Sequence, residues 1–184
     1  MRTYRLALFV PIAVAALLVA ACGNNNSAKT EAPVFLAVSA IPQGVADVPM
    51  SSTADVTIPN MSISSKAKSP TGVLSGQDDA VLSEWVVTCT RTDGGTVASP
   101  VWHNYNQTIY VPAGGSAPLQ NFRIFPMEYF QQPPLFQLFP QNGGFDKETG
   151  LTNIRQRLHI EIFGKTVAGK AVSVAFDVNL NFFY

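Results

Sequence analysis

The chain is poor in the residues that most chemistry uses. It has two cysteines and two histidines in 184 residues, and only 13% of its residues are charged. No His-x-x-x-His or Cys-x-x-Cys pair and no acid-rich ligand set accompanies them, so no metal-binding pattern emerges. No Gly-x-Ser-x-Gly turn occurs, which removes one familiar signature of a serine hydrolase. Lys plus Arg and Asp plus Glu balance at 12 each without a dense basic stripe, which argues against nucleic acid as a partner. No cofactor is implied. A membrane-spanning run is missing as well. The uncharged N-terminal stretch Leu6 to Ala21 is 16 residues and contains Pro11, short of the ~20 apolar residues that cross a bilayer as a helix.

What stands at the N-terminus has another meaning. Arg2 and Arg5 precede the apolar stretch, no acid interrupts it, and the small residues Ala20 and Ala21 close it. A basic start, an apolar middle and a small-residue end make a secretory signal that is removed, here residues 1–21. Cys22 follows at once, and the run Val19-Ala20-Ala21-Cys22 resembles the lipobox of bacterial lipoproteins. The resemblance covers residues 1–22 only. It implies a diacylglycerol group on the Cys22 sulfur, cleavage in front of Cys22, acylation of the new amino group, and hence the membrane as partner. Gly23 rather than Asp follows the cysteine; in lipoproteins of double-membraned bacteria this implies the outer membrane. One acyl chain anchors only marginally, whereas two or three make release negligible. On this reading Cys89 is the one remaining cysteine, and no intrachain disulfide can form.

After cleavage about 163 residues remain, the size of one domain. Residues 22–32 are the lipidated cysteine and a polar stretch without periodicity, expected to be a flexible tether. Residues 33–184 are expected to form one mainly β domain: an immunoglobulin-like two-sheet β-sandwich with a short, partly helical crossover rich in proline and aromatics. The Cys-Trp-Cys signature of antibody domains is absent. Val34 to Val38 is a short strand candidate. Ala54 to Ser64 reads as a strand with a break or bulge at Pro59-Asn60, near a sheet edge. Val81 to Arg91 is rich in Val, Thr and Trp and ends at Asp93-Gly94-Gly95, a tight-turn signal. It places Trp85, Val87 and Cys89 on one face, with Cys89 as a small buried hydrophobe. Gln107 to Val111 and Leu119 to Phe125 read as a pair of strands. The clearest pattern is at the C-terminus. Leu158, Ile160 and Ile162 alternate with His159, Glu161 and Phe163, and Val172 to Phe182 alternate for 11 residues, which predicts a long hairpin.

The crossover, Phe125 to Pro140, has four prolines and one charge, Glu128. Pro133-Pro134 rules out one continuous helix and leaves short helical turns at 126–131 and 135–139. Two readings compete for it. The segment either plugs one end of the sandwich, or it presents Phe125, Tyr129, Phe130, Leu135, Phe136 and Phe139 as an apolar ledge for an envelope protein partner.

Three further sets of residues are candidates for function. Trp102, Tyr105 and Tyr110, interleaved with Asn104, Asn106 and Gln107, match the aromatic and amide chemistry of a glycan platform, or else are ordinary strand residues. Asp146 and Glu148 alternate in a Gly-rich stretch and match a hard-cation loop in part, although Lys147 between them favours an acidic turn. His103 or His159 would be the base of an envelope hydrolase. The preferred expectation is a non-catalytic, membrane-anchored binding or scaffolding domain, with a glycan-binding module and then a hydrolase as alternatives.

Overall fold

The computed structural model describes residues 30–105 and 107–184. The leader, Cys22 and residues 23–29 of the expected tether lie outside the described residues. Among those described, no helix is long and apolar enough to cross a membrane.

The described chain is mainly β and forms two sheets, with only short 3₁₀ turns beside them. The strands are β1 (Val34–Ser39), β2 (Val45–Pro49), β3 (Val56–Ala67), β4 (Ala80–Arg91), β5 (Trp102–Asn104), β6 (Ile109–Val111), β7 (Ser116–Phe125), β8 (Asn153–Thr166) and β9 (Ala171–Phe183). One sheet has the order β1-β3-β7, and the other runs β2-β9-β8-β4-β5, with β6 also paired to β4. All pairs are antiparallel except β2 with β9.

The inner faces of both sheets share one core. Ile58, Met61 and Ile63 of β3 and Phe122 and Ile124 of β7 join Trp85 and Val87 of β4. Leu158, Ile160 and Ile162 of β8, and Val174, Val178 and Phe182 of β9, complete it. Period-two alternation places these side chains on one side, so each strand contributes a buried row at about every second residue. Trp85 is fully buried, tilted against Phe122 at 4.9 Å between ring centroids, with Trp102 edge-on at 6.4 Å. Cys89 lies on that face, buried, and desolvation pushes its thiol pKa up to about 12.

The terminal hairpin forms as its alternation predicts, with β8 and β9 in register from Asn153–Phe183 to Lys165–Ala171. Gly164 has a specific reason to lack a side chain. β4 shifts register between Leu82 and Glu84, and a Cβ on Gly164 would lie 2.1 Å from the Val81 carbonyl oxygen. No packing adjustment of a flexible side chain relieves such a contact, because the obstacle is backbone.

Four expectations are corrected. β3 runs unbroken through Pro59 and is the central strand of its sheet. Pro59 is tolerated because β1 pairs only with residues 62–67, so that half of β3 has β7 as its partner on one side. The register shift of this pair falls at the start of β3, between Val56 and Thr57, and Asn121 of β7, level with Pro59, has a φ of 49°. The Asp93-Gly94-Gly95 stretch does not close a tight hairpin, since β4 meets β5 only at residues 85–87. Residues 107–111 and 119–125 are not a pair: β6 joins β4 and β7 joins β3. Finally, the folded domain begins earlier than residue 33. Ala32 is buried in the core, and the Lys68 ammonium donates to the Thr30 carbonyl.

The two ends of the layered domain differ. β3 is 12 residues long, so its ends are roughly 35 Å apart. At its C-terminal end lie Thr30, the connection 68–79, the turn at 112–115 and the hairpin turn after Thr166. Backbone bonds stitch these together, from Lys68 to Pro33, Ser65 to Gly115, Val167 to Asp79 and Ala168 to Gln77. We call this the tether end. At the far end lie the start of β3, the end of β4 and residues 126–152.

Candidate functional site on the outer sheet face

The far end holds the crossover, and the plug reading describes its packing. Short 3₁₀ turns span Met127–Gln131, Leu135–Leu138 and Pro140–Asn142. Phe125, Phe130, Leu135 and Phe139 are buried, and Tyr129 and Phe136 are half-buried. Phe125 stacks with Phe130 and packs against Phe182, with centroids at 6.0 and 5.1 Å. The six residues considered as an apolar ledge therefore do not form an exposed one. Phe130 of the crossover also packs edge-on against Phe182, so aromatic rings join β7, the crossover and β9 at this end. Phe139 also meets Tyr184 of the C-terminus at 5.4 Å.

The Asp146–Glu148 stretch sits beside this plug and is occupied by an internal cation. The Arg91 side chain is 2% exposed. Its Nε and Nη2 donate to the two oxygens of Asp93 at 2.7 and 3.0 Å. Nη2 also donates to Asp146 Oδ2 at 2.8 Å, and Nη1 to the Val97 carbonyl at 3.1 Å. Burial alone would raise the pKa of Asp146 and Asp93. The Arg91 guanidinium, with the Thr149 hydroxyl on Asp146 and the Arg155 and Gly95 amides on Asp93, outweighs it and holds both below the ordinary carboxylate range. Glu148 accepts from the Thr96 hydroxyl at 2.6 Å and from the Thr96 and Val97 amides, which lowers its pKa as well. The guanidinium thus takes the place that a calcium ion would hold. No group of three or more metal-ligating side chains exists among the described residues. Gly95 is part of this arrangement, because a Cβ there would lie 2.4 Å from the guanidinium carbon.

The proposed glycan residues do not share a platform. Trp102 pairs with Val87 and points inward, where Arg123 from β7 caps its ring at 5.0 Å. Tyr110 pairs with Val81 and points outward, six residues further along β4, which is roughly 20 Å away. Its hydroxyl donates to Asp79, lowering the Asp79 pKa and raising its own. Proximity in sequence fails here because side chains on β5 and β6 alternate their faces and the two strands attach to different parts of β4, β5 at its middle and β6 at its start.

The outer face of the six-stranded sheet gathers the polar groups with chemical capacity. His103 on β5 lies opposite Val86, and its Nδ1 is 3.8 Å from Glu84 and 3.1 Å from the Tyr105 hydroxyl. The Tyr105 ring stacks on the imidazole at 5.9 Å and is 63% exposed. Desolvation and the neighbouring Glu84 carboxylate raise the Tyr105 pKa. Two strands away, His159 Nδ1 contacts Asp177 at 2.7 Å across the β8–β9 register. Beside the first pair, toward the start of β4, a surface depression of about 440 Å³ is lined by Val81, Ser83, Glu84, Phe163, Gly164 and Lys165. The β4 register shift creates it: two consecutive residues, Ser83 and Glu84, lie where one belongs.

This face can bind, through an exposed tyrosine, an imidazole, carboxylates and a lysine above a half-buried phenylalanine. Both histidine pairs stand on an open sheet, exposed to water. Their partners are a carboxylate and a phenol, and the register neighbour opposite His159 is Thr88. On this face, the structure brings together two of the residues singled out from sequence, His103 and Tyr105. Glu84, Phe163 and Lys165 went unnoticed, because a bulge that exposes consecutive residues leaves no signal in an alternating strand. Comparison with known protein families, with curated proteins and with solved structures finds no match.

Proposed function

We propose that this chain is a bacterial lipoprotein, held through Cys22 in the outer membrane, whose β domain is a non-catalytic binding or scaffolding module of the envelope. The N-terminal pattern supports the anchor: basic residues, an apolar stretch, Val19-Ala20-Ala21 and then Cys22. The burial of Ala32 and the Lys68 bond to Thr30 support a short tether, because both residues belong to the folded domain. The partner surface on this reading is the outer sheet face around Tyr105, His103, Glu84 and Phe163. The observation that carries this choice is the bulge depression beside an exposed tyrosine. The 125–140 segment is spent on packing.

The immunoglobulin-like reading of the architecture is supported by strand order. A first strand β1 in one sheet and a second, β2, running parallel to the last strand of the other sheet match the split first strand of that fold. The orders β1-β3-β7 and β9-β8-β4-β5 then follow the two-sheet pattern, with a fully buried tryptophan on the strand where that fold carries one.

Site-specific photo-crosslinking in the native envelope tests the surface. A crosslinker in place of Tyr105 is expected to give a discrete adduct, while one in place of Phe145 at the far end gives none. Adducts from position 145 alone would move the partner surface to the other end.

A further inference from the structure

The tether end carries a composition that the rest of the surface lacks. Of the five described lysines, Lys66, Lys68, Lys165 and Lys170 all lie there, and Lys147 alone is elsewhere. Lys66 is exposed at the end of β3, and Lys165 and Lys170 flank the β8–β9 turn. Two loop tips beside them expose apolar side chains. Val73 is 95% exposed, and Val167, between Lys165 and Lys170, is 51% exposed. Exposed apolar side chains also occur elsewhere, as at Phe145 and Leu151; what sets this end apart is that Val73 and Val167 stand beside clustered lysines. The carboxylates at this end are Glu31, Asp78 and Asp79. Asp78 closes a capping box with Ser75, and Asp79 accepts from Tyr110 and the Ala113 amide, so two of the three are directed into the loops. The chain also leaves the domain here, at Thr30.

We propose that the tether end is a membrane-contact surface: Val73 and Val167 dip into the interfacial layer of the bilayer, and the exposed Lys66, Lys165 and Lys170 engage anionic lipid phosphates, while Lys68 holds Thr30. This rests on the Cys22 anchor described above. The residues between Cys22 and Thr30 span at most about 30 Å even when fully extended, so this end stays close to the bilayer. Apolar tips ringed by lysine are the chemistry of an interfacial surface. Lysine stems lie along apolar material while the ammonium reaches the phosphates. Contact at this end turns the far end, with its plug, away from the membrane, and stands the outer sheet face upright and open to a partner.

The test uses the full-length protein reconstituted in phosphatidylglycerol-containing vesicles. Single substitutions Val73→Cys, Val167→Cys and Phe145→Cys carry an environment-sensitive fluorophore; Cys89 is buried and out of reach. Quenching by acrylamide, which is neutral, is expected to be about threefold weaker at positions 73 and 167 than at 145, as for side chains held in the interface. Replacing Lys66, Lys165 and Lys170 by glutamate is expected to abolish that protection. Equal quenching at all three positions would overturn the proposal. The mass of the N-terminal peptide reports acylation of Cys22 separately. If Cys22 carries no lipid, the anchor reading fails; the same full-length chain added to vesicles from solution is then read by the same comparison. Protection at 73 and 167 upholds the surface, and equal quenching overturns it.

Discussion

The two ends of this domain are built on opposite principles. At the far end, long-range side-chain contacts do the joining. Arg91 reaches Asp146 across 55 positions of sequence, Glu148 reaches Thr96, and buried Gln156 exchanges two hydrogen bonds with Ser99 at 2.9 Å each. Phe125, Phe130 and Phe182 fill the space between. At the tether end, backbone bonds join short loops, and lysines and valines are left facing outward. The difference teaches where each end can tolerate change. The far end is fixed by desolvated charge and aromatic volume, so losing one member leaves a cavity or an unpaired ion. The tether end is fixed largely by main chain and by a few side chains such as Asp79, which leaves Val73, Val167 and the exposed lysines facing outward.

Substitutions can break this contrast, and the largest effects belong to the far end. Arg91→Ala leaves Asp93 and Asp146 buried without their cation and is expected to cost about 3–5 kcal/mol, read by urea denaturation. Phe125→Ala, which empties the centre of the plug, is expected to cost a similar ~3–5 kcal/mol. Were either loss below about 1 kcal/mol, the far end would be as tolerant as an ordinary surface. Gly164→Ala drives a methyl into the β4 backbone and is expected to cost roughly 1–3 kcal/mol. Val73→Ser, at the other extreme, is expected to change stability by less than about 0.5 kcal/mol. A larger loss would mean that the tip packs against its own domain and is not free.

Acid sharpens the same comparison. Asp93 and Asp146 have folded pKa values below their ordinary range. Their stabilisation is fully present above the unfolded value of about 3.9 and is lost as pH falls through the folded values. Urea midpoints measured from pH 6 downward are therefore expected to hold until about pH 4 and then fall, with a shallower fall in Asp146→Asn. An unchanged slope in that variant would show that the cluster does not couple to folding.

How much of this was legible in the sequence depends on the range of the interaction. The β8–β9 hairpin could be read directly, because one buried face forces strict alternation from Val172 to Phe182. The short turns of the crossover were legible too, since Pro133-Pro134 forbids a longer helix. The Arg91 cluster was not. Asp146 and Glu148 looked like a cation loop, and nothing local shows that the cation is an arginine at the end of β4. The Trp102, Tyr105 and Tyr110 set misled for a related reason. Spacing of three and five residues suggests nearness, but register on β4 assigns each residue its face and its end. The lysine cluster was invisible because its members come from β3, the loop after it, β8 and the turn that follows β8.

The anchor underlies both the proposed location and the orientation of the domain. Metabolic labelling of the full-length chain with a radiolabelled fatty acid in a bacterial host, beside Cys22→Ala, tests it most directly. The account predicts an acylated protein that sediments with membranes, and complete loss of label in the variant. Label that persists in Cys22→Ala, or a parent chain that never takes it up, would contradict the account.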